Sequence, residues 1–157
     1  MAVRVIEAID ANIFVSVINK ERDSTQSKKV LDLVDDGNVK AIPSTIVIAE
    51  MCSGYANVGR SNEKNEFLTH VLGSSNYEIA EATVPVALNA GNLRAMEELK
   101  LPDALVVASG LPHKAEFLIS NGEALRRRRQ VTDIRILSAA EFAKEIESRN
   151  KNSKEEN

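Results

Sequence analysis

Hydrophobic and polar positions along this chain switch repeatedly between a strand period and a helix period. The run Val3 to Ile9, with Val3, Val5 and Ile6 in it, reads as a strand; it breaks at Ile9-Asp10-Ala11-Asn12, and Ile13 to Ile18 resumes with helical spacing in a segment of about Ala11 to Lys20. A polar turn ending at Ser24 leads to a second helix, Thr25 to Asp36, with Val30, Leu31 and Val34 as its inward stripe and Gly37 closing it. Val39 to Ile42 is a short strand, and Pro43-Ser44 turns the chain into an apolar helix, Thr45 to Tyr55. A further helix covers Glu63 to Leu72, Tyr77 to Ala80 has strand character, and Pro85 suits the first turn of a helix running through Leu88, Leu93 and Met96 to Leu99. Leu101-Pro102-Asp103 opens a helix to about Ser109, Glu116 to Ser120 is a compact apolar strand, Glu123 to Arg129 is a short helix and Ile134 to Leu137 the last strand. Ser138 with Glu141 three residues on is a capping box that starts an amphipathic helix through Phe142 and Ile146.

Short strands separated by helices predict an α/β fold, a three-layer α/β/α sandwich around a mainly parallel sheet. Residues 1–146 are expected to form one domain, and the polar tail, residues 147–157, to be frayed or disordered. With 157 residues and 43% hydrophobic content the chain has enough apolar side chains for one proper core.

Charge and cysteine content narrow the chemistry. A net charge of -3 excludes a surface that is basic throughout, so any polyanion must be bound by a local patch. The single cysteine, Cys52, excludes a disulfide framework and a Cys-rich zinc site and is expected to be a buried small apolar residue; His70 and His113 lack metal-ligand spacing. Arg4 and Glu7 interrupt the first apolar run and no window approaches about 18 apolar residues, which fits neither a signal peptide nor a membrane span. A cytoplasmic protein with no membrane partner is expected.

Three acids stand out by position. Asp10 ends the first strand, at the edge where open α/β sheets collect ligands, although a strand-to-helix cap explains it equally. Glu50 is the only charge in an otherwise apolar helix, a context that leaves little solvated face for it. Asp103 sits in the first turn of its helix, where the dipole favours a carboxylate with or without a function. Brought together, these acids would make an oxygen-only site suited to Mg2+ or Mn2+; the ion would offset their repulsion and activate a water against a phosphoryl group.

Ile9-Asp10-Ala11-Asn12 after the first strand, the helix IVIAEMC with Glu50, LPDALVVAS with Asp103, and FLISN before a last helix, in this order and spacing from Val3 to about Lys144, resemble the PIN-domain family. The resemblance implies a parallel α/β/α fold, metal-dependent cleavage of RNA, a VapC-type toxin of a toxin–antitoxin pair and a homodimer. On it, Asp10, Glu50 and Asp103 match the first three acids of the metal site and Asn12 the small polar position that follows. The fourth acid does not match: where the family has Thr or Ser, any residue, then Asp, this chain has Ser120-Asn121-Gly122-Glu123. Asn121 and Glu123 flank the gap and could supply an oxygen, while Asn121 before glycine is equally an ordinary turn and cap residue.

Two further features are polar where structure alone does not demand it. Arg126 to Arg129 is the one dense basic run; consecutive helical residues point in nearly all directions, so about two of the four could face RNA phosphate. Ser16, one turn after Asn12, either lines the cleft or is a buried hydroxyl bonded to a backbone carbonyl. The expected function is a Mg2+- or Mn2+-dependent ribonuclease, with RNA and an antitoxin protein as partners. The alternatives are a housekeeping RNA-processing nuclease, a catalytically inactive PIN-like module that binds RNA or protein, and, less well matched, a phosphoryl-accepting receiver-like domain using Asp10.

Overall fold

The computed structural model describes residues 4–157; Val3, expected to open the first strand, lies outside the described residues. Its five-stranded sheet has the order β2-β1-β3-β5-β4. The strands are β1 (Val5–Ile9), β2 (Val39–Ile42), β3 (Phe117–Ile119), β4 (Gln130–Val131) and β5 (Ile134–Leu137). All pairings are parallel except β4 with β5, an antiparallel edge hairpin. The helices are α1 (Ala11–Ile18), α2 (Ser24–Asp35), α3 (Thr45–Asn57), α4 (Ser61–Gly73), α5 (Val84–Glu97), α6 (Leu101–Gly110), α7 (Glu123–Arg126) and α8 (Ala139–Glu155). The expected three-layer α/β/α sandwich is what forms. No helix among the described residues is long and apolar enough to cross a membrane.

Two contacts fix the layers. Gly110 at the end of α6 lies so close to Ala8 and Ile134 that an added Cβ would stand 3.2 Å from the Ala8 Cβ, so α6 rides on the sheet face that Ala8 presents. On the opposite face Phe117 meets Phe142 of α8 edge to face, centroids 5.6 Å apart. Aromatic packing and a buried Val30–Val34 stripe of α2 complete that side, with Leu31 only partly buried.

Several expectations shift in detail. Tyr77 to Ala80 forms two isolated parallel bridges, Ala41 with Tyr77 and Ser44 with Ala80, extending the β2 edge without becoming a full strand. The short helix expected over Glu123 to Arg129 ends at Arg126, and an unexpected strand, β4, follows it, because Arg129 and Thr132 adopt left-handed backbone that reverses the chain into the hairpin. In α5 the inward residues are Val86, Ala90 and Leu93, while Leu88 and Met96 face out. Cys52 is half-buried rather than a core residue. The tail expected to fray instead continues α8 to Glu155; Arg149 ties the helix to Glu116 at 3.1 Å and to Glu145 one turn back, supplying the contacts that its polar composition concealed.

One core group is costly. Glu7, in the middle of β1 between Ala41 and Phe117, is fully buried, and neither carboxylate oxygen has a hydrogen-bond partner. Burial holds its pKa well above the usual carboxylate range, so the folded chain gives up the proton at higher pH than the unfolded chain does. The sign follows: below the unfolded pKa of about 4.3 both states are protonated, and above it only the unfolded chain releases the proton, so stability falls by up to about 1.4 kcal/mol per pH unit until the folded pKa is passed. Glu7→Gln is expected to remove this component from urea-unfolding free energies measured from about pH 4 upward, and Glu7→Met to raise stability at neutral pH by about 1–3 kcal/mol. An unchanged pH slope in Glu7→Gln would assign the decline to other groups.

Candidate functional site

The strand order makes the C-terminal edge between β1 and β3 a switch point, since the chain leaves β1 toward β2 on one side and returns to β3 on the other. Asp10 stands there. Its backbone N–H still donates to the Ile119 carbonyl at 3.0 Å, while its side chain caps α1, accepting from the Ala11 N–H at 2.8 Å through Oδ1. The other oxygen, Oδ2, accepts the Ser120 hydroxyl at 2.9 Å and the Asn12 amide at 3.3 Å. Ser120 is saturated in turn: its Oγ accepts from Asn12 Nδ2 and from the Gly122 N–H, both at 3.0 Å. The cap and the functional candidate are therefore the same side chain, and capping alone uses only one of its oxygens.

Glu50 and Asp103 approach this carboxylate from α3 and α6. Burial raises the Asp10 pKa; the hydrogen bonds from Ser120 and Ala11 pull it back, and the negative field of Asp103 adds to the rise. Glu50 is raised by desolvation first and then by Asp10 and Asp103. Asp103 is raised by burial, with Lys100 opposing. The three acids expected to converge thus share one field, although Glu50 does so differently from the sequence expectation: α3 buries only the Val47, Met51 and Tyr55 face, and Glu50 is exposed on the rim rather than trapped in a buried helix.

The remaining sequence candidates separate. Asn12 is in the site, holding Asp10 and Ser120 and accepting the Asn121 N–H at 3.0 Å through its Oδ1. The Asn121 side chain points away into the scaffold, donating to Ser27 of α2 at 2.9 Å and accepting the Ala139 N–H of α8 at 3.2 Å. Ser16 is fully buried and bonds the Asp23 carboxylate, not the cleft. Glu123 is exposed and paired with Arg127. A Cβ at Gly122 would lie 3.2 Å from Ser120 Oγ and 3.3 Å from Asn12 Nδ2, so the position of the unmatched acid borders the same hydrogen-bond network. Ser120 was underweighted by sequence; its signal was a polar residue closing an apolar strand. Gln130 and Arg135, which join Arg126 and Arg129 around one groove, gave no signal because the hairpin that unites them was not foreseen.

The donor chemistry fits a hard divalent cation: carboxylate oxygens only, with pKa values lifted partly by mutual repulsion that a cation would relieve. Among the described residues no three acidic, histidine or cysteine side chains already stand close enough to hold an ion, so a bound cation would have to draw the exposed Glu50 and the half-buried Asp103 toward Asp10. The family model for the PIN domain matches residues 8–131. The chain belongs to the PIN domain family. Structural likeness agrees with this PIN fold. A toxin–antitoxin complex from Klebsiella pneumoniae is 21% identical with a TM-score of 0.62, covering 82% of this chain and 94% of that one. VapBC2 from Rickettsia felis, bound to a promoter DNA fragment, is 23% identical with a TM-score of 0.62, covering 85% and 98%. DNA-bound VapBC from Salmonella typhimurium is 15% identical with a TM-score of 0.63, covering 86% and 98%. No curated protein sequence matches the chain.

Removing the Ser120 hydroxyl leaves the Gly122 N–H unpaired and deprives Asp10 of the hydrogen bond that most lowers its pKa. Ser120→Ala is expected to lose about 1–3 kcal/mol in urea unfolding and to shift the Asp10 carboxyl titration upward by NMR, whereas Ser120→Thr keeps both near wild type. Unaltered Asp10 titration in Ser120→Ala would show that the hydroxyl does not tune the acid.

Proposed function

We propose that this PIN domain is a divalent-metal-dependent ribonuclease that hydrolyses RNA phosphodiester bonds, acting as the toxin of a toxin–antitoxin pair. The observation that carries the reading is Asp10, oriented by three donors at the β1–β3 switch point within the fields of Glu50 and Asp103. Asp10, Glu50 and Asp103 would hold Mg2+ or Mn2+. When bound, the ion supplies charge neutralisation and Lewis acidity toward a phosphodiester. The chain's own contribution is positional: Ser120 and Asn12 fix the Asp10 carboxylate, and the first turns of α1 and α6 hold Asp10 and Asp103 on rigid elements. Glu50, reachable from solvent and with a raised pKa, is suited to accept a proton from an attacking water.

A protein partner is supported by the toxin–antitoxin complexes among the structural relatives and by the apolar cleft of Val15, Ile18, Met51, Tyr55 and Val58 that borders Glu50. Exposed Val84, Leu88 and Met96 on α5, with Leu101 beyond it, support association with a second copy. A non-catalytic RNA- or protein-binding module is the second reading, favoured by the glycine at position 122 and by acids that do not close on an ion unaided.

Purified protein is expected to cleave single-stranded RNA with Mg2+ or Mn2+ and to stop with EDTA, and Asp10→Asn to slow cleavage by at least about 100-fold. Equal cleavage by Asp10→Asn would sink the mechanism, and no heat of Mn2+ binding at millimolar concentration would favour the non-catalytic module. Expression is expected to arrest growth, with relief by the open reading frame adjacent to its gene; growth unaffected by active enzyme would point to a housekeeping nuclease.

A further inference from the structure

The four-arginine run divides in two. α7 ends at Arg126, Arg127 turns back to pair with Glu123, and Arg128 reaches to 4.0 Å from Glu97 of α5. Arg129, in left-handed backbone at φ 58°, reverses the chain into β4, and its carbonyl accepts the Ile136 N–H at 2.8 Å. The hairpin register then sets Gln130 opposite Arg135. Arg126, Arg129, Gln130 and Arg135 consequently line one groove, and among the described residues neither Arg126 nor Arg129 makes an ion pair.

The groove's balance of charge is positive. Three guanidiniums face one carboxylate, Glu141, which is already engaged as the capping-box residue of α8 through the Ser138 N–H at 3.0 Å. Arg135 lies over the Phe117 ring, 5.3 Å from its centroid, and 3.8 Å from Glu145, which Arg149 also engages; Lys144 extends the basic lining. The groove is tied to the loop that borders the Asp10 network: the Arg126 N–H donates to the Gly122 carbonyl at 3.1 Å, and Gly122 itself borders Asn12 and Ser120.

We propose that this groove binds the phosphodiester backbone of RNA beside the acidic centre. The choice of RNA rests on the nuclease reading above; the groove itself rests on the geometry. A chain of net charge -3 with clustered acids at its centre repels a polyanion, so holding one requires a local set of cations. Guanidinium forks match phosphate oxygens in pairs, and the neutral Gln130 amide adds a donor and an acceptor.

The test measures binding of labelled single-stranded RNA to full-length Asp10→Asn protein in EDTA by fluorescence anisotropy across a KCl series. Arg126→Ala with Arg129→Ala is expected to weaken binding about 10-fold and to lower the salt slope by about 1.4, the value for two phosphate contacts on a single strand. Arg127→Ala with Arg128→Ala should leave both unchanged, and Arg126→Lys with Arg129→Lys should retain most of the slope, which separates charge from folding. Equal losses in the two alanine pairs, or none in the first, overturn the groove; polyglutamate competing as well as RNA reassigns it to acidic peptides and overturns it as an RNA site. Wild-type cleavage with indistinguishable arginine pairs refutes the groove alone, whereas a split salt slope without Mn2+-dependent cleavage refutes the nuclease and leaves the groove standing.

Discussion

The parallel pairing of β1 with β3 is the constraint on which the site depends. Its register sets Ile9 beside Ile119, so the residues that follow, Asp10 and Ser120, leave the sheet side by side although 110 positions separate them in sequence. A one-residue slip in this pairing would turn every following side chain to the other face and part the hydroxyl from the carboxylate. The register is strongly specified because Ile9, Phe117, Leu118 and Ile119 are all fully buried. Packing on both faces of the sheet therefore sets the position of a polar contact at its edge.

That contact opposes an electrostatic strain. Desolvation and the Asp103 field push Asp10 toward its neutral form, while the Ser120 hydroxyl and the Ala11 N–H favour the charged one. Glu50 and Asp103 lie less deeply than Asp10 and can adjust, whereas Asp10 is held on both oxygens. A rigid acid with two more accessible ones around it is an arrangement in which a cation can gather ligands without moving the sheet. Glu7, on the same strand but facing the α8 side, shows the contrary case: with no hydrogen-bond partner to offset burial, its pKa is held well above the usual carboxylate range.

Local chemistry made much of this readable from sequence. Strand and helix periods located β1, β2, β3, β5 and the eight helices closely, and Asp10, Glu50 and Asp103 announced themselves as acids at element ends or among apolar neighbours. What the sequence concealed depends on which elements meet. Asn121 read equally as a substrate contact and as a turn and cap residue until α2 and α8 claimed its amide, and Ser16 as a cleft residue or a buried hydroxyl until Asp23, in place of a backbone carbonyl, met it. Glu50 was expected to have little solvated face, yet α3, though apolar at most positions, buries only the Val47, Met51 and Tyr55 face and leaves Glu50 exposed. The arginine run was expected to offer about two of its four side chains to phosphate, but nothing local revealed the left-handed Arg129 that decides which two share the groove.

Gly122 joins these threads. Its N–H donates to Ser120, its carbonyl starts α7, and the space where a side chain would begin is bordered by Ser120 Oγ and Asn12 Nδ2 at 3.2 and 3.3 Å. A side chain there would press on the two groups that hold Asp10, and neither can retreat without lengthening a hydrogen bond to that carboxylate or to each other. The glycine thus favours close orientation of one acid over the addition of another. It also lets the backbone pass directly from the Asp10 network into α7, which carries Arg126 toward the basic groove, so the loop that lacks a carboxylate is the covalent link between the acidic centre and the arginines of that groove.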